Sequence, residues 1–155
     1  MSILKNNNVK KTKQIEKKVI GWREKAALPA LGVKSIKVKV DSGAKTSALH
    51  ASRVKIFTEN GKQRVRFRLH PRQNEKEKWV WAEEDLVEKR LVKSSTGTTT
   101  LRPVIRTKIT LAGRTYPIEV TLVNRDMMGF RMLLGREGFR KYFLVDAAKS
   151  FLGDK

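Results

Sequence analysis

Asp41, Ser42 and Gly43 close an apolar, alternating run, and this triplet is the strongest chemical signal in the chain. Peptide hydrolysis by carboxylates needs two acid groups close enough to share a proton. Like charges at that distance do not both ionise cheaply, so one pKa rises. One group then acts as base towards water, and the other as acid towards the carbonyl oxygen. Such a carboxylate belongs on a tight turn at a strand end. Glycine lets the backbone approach and donate N–H bonds, and a hydroxyl beside the Asp braces the loop. Val40-Asp41-Ser42-Gly43-Ala44 meets these needs. Taken alone, an Asp-Ser-Gly turn also occurs as an ordinary β-turn, so the rest of the chain has to decide its meaning.

Composition narrows the other chemistries. Cysteine is absent, which removes disulfides, thiolate zinc sites and a cysteine nucleophile together. Two histidines, His50 and His70, fall short of the three or four protein ligands of a typical zinc site. There is no His-Glu-x-x-His and no Walker-type phosphate loop. No metal and no cofactor are therefore expected. His50 reads as a structural or hydrogen-bonding residue, and His70 as surface. Trp22 reads as a packing residue. Trp79 and Trp81 lie two apart and share one strand face, where they can cover a groove or interface, or stack on bases beside basic residues.

The net charge is +20, from 35 basic and 15 acidic residues. Such a field attracts nucleic acid, ribosomes or acidic peptides; a solvated basic surface accounts for the same count. No nucleic-acid reader motif accompanies it, so only non-specific nucleic-acid binding is expected. There is no run of 18 apolar residues and no secretory apolar core at the start, so a cytoplasmic chain without membrane contact is expected.

The elements that must position Asp41 are strands. Residues 1–18 are Lys-rich with few apolar anchors and read as a disordered basic tail; one domain is expected over 19–155. Val33, Ile36, Val38 and Val40 alternate with lysines and form a half-buried strand that ends at Asp41. Val54–Phe57 and Val65–Leu69 alternate about Asn60-Gly61, a strong hairpin signal. Trp79-Val80-Trp81 is a further short strand. Leu91-Val92 leads into the polar loop from Lys93 to Thr100. Residues 104–111 and 115–123 pair about Ala112-Gly113-Arg114. Met132-Leu133-Leu134-Gly135 is a buried strand, 136–142 a short helix, and Phe143-Leu144-Val145 a last strand. The count predicts an all-β barrel or sandwich with one short C-terminal helix.

The order of these pieces resembles the retropepsin-like aspartic protease family. The stretch from Val38 to Ala51 is similar to its first signature, an apolar strand followed by Asp-Thr/Ser-Gly-Ala. About ninety residues later, Met132 to Phe139 resembles its second signature, an apolar pair and Gly leading into a short helix behind the catalytic loop. Lys93 to Thr98 lies where that fold carries its flap. More narrowly, Ile20-Gly21-Trp22-Arg23-Glu24, Phe67-Arg68-Leu69-His70-Pro71, Arg102 to Thr107 and Met132 to Glu137 resemble the RimB-like group over about residues 19–148. That bacterial group is often labelled ATP-dependent zinc proteases, but neither zinc nor ATP has visible ligands here.

The resemblance implies a closed β-barrel in which one chain supplies one Asp. A homodimer would then pair Asp41 with its copy, Ser42 would brace the dyad through interlocked hydroxyl bonds, and Gly43 would allow the turn. Ala44, Lys45, Ser95, Thr96, Gly97 and Arg136 would contact substrate. Lys45 stands where viral members carry an acidic residue; with Arg136 it would bind an acidic substrate end, or else pair with Glu137. The group is associated with ATP-grasp ligases that add glutamates to a ribosomal protein. An acidic or glutamylated ribosomal-protein tail is the implied substrate, and the ligase or ribosomal protein an implied partner. The alternative is a non-catalytic regulator or adaptor that binds the ligase or a ribosomal component.

Overall fold

The computed structural model describes residues 15–71, 78–94, 96–125, 127 and 129–154. Among the described residues there are twelve strands: β1 (Lys18–Gly21), β2 (Arg23–Leu28), β3 (Val33–Asp41), β4 (Ser47–His50), β5 (Ser52–Glu59), β6 (Lys62–Leu69), β7 (Val80–Asp85), β8 (Glu88–Lys93), β9 (Thr99–Leu111), β10 (Arg114–Val123), β11 (Met132–Gly135) and β12 (Phe143–Asp146). The fold is all-β. Among the described residues there is no α-helix, and no helix long and apolar enough to cross a membrane.

Six strands close into a barrel, in the order β10, β4, β11, β3, β2, β9, with β9 and β10 pairing to complete the ring. Alternation drives this. In β3, Val33, Ile36, Val38 and Val40 point inward, while Lys34 and Lys37 face solvent and Lys39 is half-buried. Leu49, Ile105, Ile109, Leu122, Met132 and Leu134 meet them in one buried cluster. Burying such side chains stabilises the barrel by roughly 1.5–3 kcal/mol each. Two positive-φ pairs turn the hairpins, Asn60-Gly61 between β5 and β6 and Ala112-Gly113 between β9 and β10. Both match the turn that right-twisted strands favour.

Outside the barrel, β5, β6 and β7 form a three-stranded antiparallel sheet, and β1 pairs in parallel with β12. Next to β1, the barrel strand β2 carries a buried carboxylate. Glu24 is fully buried, and it accepts N–H bonds from Gly21 at 2.7 Å, Leu152 at 2.8 Å and Gly153 at 3.0 Å. It ties the segment after β12 to the start of the domain.

The expected short helix over 136–142 is replaced by a single 3-10 turn, Arg136–Gly138, followed by irregular turns. Gly138 sits mid-segment, where helix propensity is poor. A Cβ there would lie 2.7 Å from the Leu134 side chain and 2.9 Å from Ser47 Oγ. Phe143 is then drawn into register with Lys18, which stops any further winding.

Candidate active site

β3 and β4 are consecutive in the chain, yet β11 lies between them. It runs parallel to β3, with Gly135 opposite Asp41, and antiparallel to β4. The 42–46 loop must therefore cross the end of β11. The crossing is tight: a Cβ on Gly135 would lie 2.7 Å from the Thr46 carbonyl group and 2.9 Å from the Ala44 oxygen. Arg136 N–H donates to the Ala44 carbonyl at 2.8 Å, and Glu137 N–H to the Lys45 carbonyl at 3.2 Å. Gly135 N–H donates to Ser47 Oγ at 3.1 Å. The loop is thus pinned along its length by the strand it crosses.

On this frame the Asp41 carboxylate turns back over its own loop. Gly43 N–H donates to Asp41 Oδ1 at 2.9 Å, and Ala44 N–H to the Asp41 carbonyl at 3.2 Å. Asp41 is half-buried, while Ser42 and Gly43 are exposed. The Arg136 guanidinium reaches the Ser42 carbonyl at 3.4 Å. Behind the loop, Tyr116 donates its hydroxyl to the Gly138 carbonyl at 2.6 Å and stacks on Tyr142 at 4.2 Å. Burial, with Tyr142 beside it, pushes the Tyr116 phenol well above its ordinary range, so it stays a neutral donor.

From Gly43 a groove of about 900 Å³ runs past Ala44, Lys45 and Ser47 to Leu91, Val92 and Lys93 of β8 and to Arg106 and Glu119. Its charges are unbalanced. Arg90 is held by Glu88 and by Glu119 at 3.1 Å, and these bonds, Glu88 first, raise its guanidinium further. Glu137 is bound by Arg140 at 3.1 Å, rather than by Lys45. That leaves Lys45, Lys93 and Arg106 lining the groove without an ion-pair partner among the described residues.

The structure brings Gly43, Ala44 and Lys45 into the groove. Arg136 instead supports the Ser42 carbonyl. Thr96 and Gly97 occupy the tip of the β8–β9 hairpin, where Ser94 and Thr96 hydroxyls meet at 2.7 Å; neither lines the groove. Ser95 lies outside the described residues. Asp41 and Ser42 adjoin Gly43 in the chain but do not themselves line the groove.

The sequence assigns no site role to Arg90, Arg106 or Glu119. The signal available was alternation: Arg106 and Glu119 are opposite one another on outward positions of β9 and β10. Which outward face borders the loop depends on β4 pairing with β10, and that is not legible locally. His50 is structural, with Nδ1 placed 3.0 Å from the Arg125 carbonyl and 3.2 Å from its N–H. His70 is buried, not surface, because it lies against Trp79. Trp22 packs edge-on to Phe130 at 6.0 Å. Among the described residues no group of three or more His, Cys, Asp or Glu is placed to hold a metal ion.

Residues 19–155 match the RimB-like family, described as retropepsin-like aspartic endopeptidase RimB. Curated relatives include a "probable alpha-L-glutamate ligase" of Shewanella pealeana, 47% identical over 138 residues, and one of Desulfotalea psychrophila, 42% identical over 137. Each match covers 88% of this chain but only 30% of the relative, so the chain spans under a third of those proteins. A crystal structure of a Legionella pneumophila protein of unknown function superposes with a TM-score of 0.72 at 28% identity, covering 89% of this chain and 99% of that one.

Proposed function

The chain belongs to the RimB-like family of retropepsin-like aspartic endopeptidases, and on that premise we propose that it is an aspartic peptidase acting on acidic, glutamate-rich protein tails. The observation that carries this is the pinned loop. It holds the Asp41 carboxylate against Gly43, which lines a groove where three cations have no ion-pair partner among the described residues. The chain contains one Asp-Ser-Gly triplet, so the second carboxylate comes from a second copy. The exposed Ser42 and Gly43 support that arrangement, since a partner can reach them.

In the dimer the two Asp41 groups share one proton. The ionised one takes a proton from water, which attacks the peptide carbonyl carbon. The protonated one donates to the carbonyl oxygen, and the tetrahedral intermediate collapses with proton transfer to the leaving amine. Gly43 N–H and the cross-loop bonds hold the carboxylate in position. Lys45, Lys93 and Arg106 attract carboxylates of the substrate on either side of the scissile bond. The relatives' printed name supports the choice of substrate: this domain recurs within longer chains named for joining glutamate, and a hydrolase beside such a ligase would trim what the ligase adds. The substrate we propose is a glutamate-extended tail of this kind, on a ribosomal protein.

A second reading has its own support. In the single chain, Asp41 does not line the groove, and the relatives are named as ligases. The domain would then be a non-catalytic adaptor whose groove docks the ligase or its glutamylated product. Incubation of the protein with a glutamate-extended peptide, monitored by mass spectrometry, separates the two. A peptidase cleaves the peptide, and Asp41→Asn abolishes cleavage. An adaptor binds the peptide without cleaving it, and Asp41→Asn binds equally well.

A further inference from the structure

The alternation of β6 buries Val65, Phe67 and Leu69 and turns Arg64, Arg66 and Arg68 outward. On the neighbouring segment Ala82 is buried, while Trp79 and Trp81 keep 42% and 50% of their surface exposed. The register sets Arg68 opposite Trp81, and the side chains interleave. The Arg68 guanidinium lies 3.5 Å from the Trp79 ring centroid and 5.8 Å from that of Trp81. Arg66 stands 4.5 Å from Trp81, and His70 lies 4.7 Å from Trp79. The result is a cluster in which Arg66 and Arg68 pack beside two part-exposed indoles, with His70 at the Trp79 end.

Arg64, on the same strand face, is the contrast. Its guanidinium is consumed by Asp85 at 2.6 Å, with Glu59 and Glu83 near. Arg66 and Arg68 have no ion-pair partner among the described residues. Exposed Lys55 sits across from Arg66 on β5 and adds a third cation to the face. None of these residues lines the groove at Gly43.

We propose that this outer face of the β5–β6–β7 sheet binds single-stranded nucleic acid, through stacking and charge rather than base identity. A surface of part-exposed indoles beside guanidinium groups suits a ligand that is both anionic and flat-faced. Phosphates meet Arg66, Arg68 and Lys55, and unpaired bases stack on Trp79 and Trp81. An acidic peptide would satisfy the cations and leave the indoles bare. A duplex keeps its bases stacked internally and offers the indoles nothing. The +20 net charge favours the encounter.

The test is fluorescence anisotropy of the full chain with a short labelled oligouridylate, across a salt series. Changing Trp79→Ala and Trp81→Ala together should weaken binding about tenfold or more, as the loss of one or two stacked bases requires. The Trp79→Phe, Trp81→Phe pair should restore most of it. Arg66→Gln with Arg68→Gln should flatten the dependence of log affinity on log salt by about 0.7 for each phosphate no longer neutralised. Duplex RNA should bind more weakly than the single strand and be indifferent to the tryptophans. The proposal is overturned if the alanine pair binds the oligonucleotide as wild type does. It is equally overturned if the same pair weakens a polyglutamate peptide instead, or abolishes self-association in sedimentation while nucleic-acid binding persists.

Discussion

The barrel strands β3 and β11 and the outer strands β6 and β7 rest on the same two-residue alternation, but they put their specialised residues in different places. In the barrel the special position is an end. Asp41 closes β3, Gly135 closes β11, and the loop between β3 and β4 is held by backbone bonds on both sides. In the outer sheet the special position is a face, where Arg66, Arg68, Trp79 and Trp81 pack on one another above solvent. A strand end fixes one group in one geometry, as acid–base chemistry demands. A strand face repeats its groups at a fixed spacing, which suits a polymer read without regard to sequence. Substitutions in the first region should therefore cost activity or stability steeply, and those in the second should cost binding while sparing the fold.

Asp41→Asn should show the largest effect. Turnover of a glutamate-extended peptide should fall by about 10²–10⁴-fold, with an unchanged circular dichroism spectrum. Gly135→Ala comes next, because its new Cβ meets backbone at 2.7 Å where the loop crosses. Urea unfolding should register a loss of about 2–3 kcal/mol, and activity should fall with it. Glu24→Gln should lose about 2 kcal/mol by the same measurement, since an amide presents one acceptor where the carboxylate serves three N–H donors. Arg66→Gln, in contrast, should change stability by less than about 0.5 kcal/mol. A loss as large as that of Gly135→Ala would erase the distinction between the two regions.

The smallest effect sharpens the comparison from inside the outer sheet. Burial holds the Glu84 carboxyl above its ordinary 4.5, against the opposing pull of Arg64. A raised folded pKa means the fold favours the protonated acid. That contribution is complete at low pH and is lost as pH rises through the folded value. Glu84→Gln should therefore raise the urea midpoint slightly at neutral pH, and the difference should vanish well below 4.5. A midpoint that falls at neutral pH would mean that pairing with Arg64, not burial, governs this residue.

The strands that carry Asp41 and the second signature were legible because Val33 to Val40 and Met132 to Leu134 keep their apolar pattern. The hairpins at Asn60-Gly61 and Ala112-Gly113 announced themselves through turn chemistry. β2 was not legible, since Glu24 occupies a core-facing position and interrupts the alternation with a charge. β4 was masked by its small residues and is defined only by pairing with β10 and β11. The groove's cations came from segments far apart in sequence, and only barrel closure sets Lys45 beside Arg106. The tryptophan pair was visible as one face, but its interleaved arginines depend on the β6–β7 register.

Mixing wild-type chains with increasing proportions of the Asp41→Asn variant, at fixed total concentration, tests the two-chain site most directly. Cleavage of the glutamate-extended peptide is the readout. If each active dyad needs Asp41 from both copies, activity should fall with the square of the wild-type fraction. A linear fall would mean that each chain cleaves by itself, and that would contradict the shared dyad.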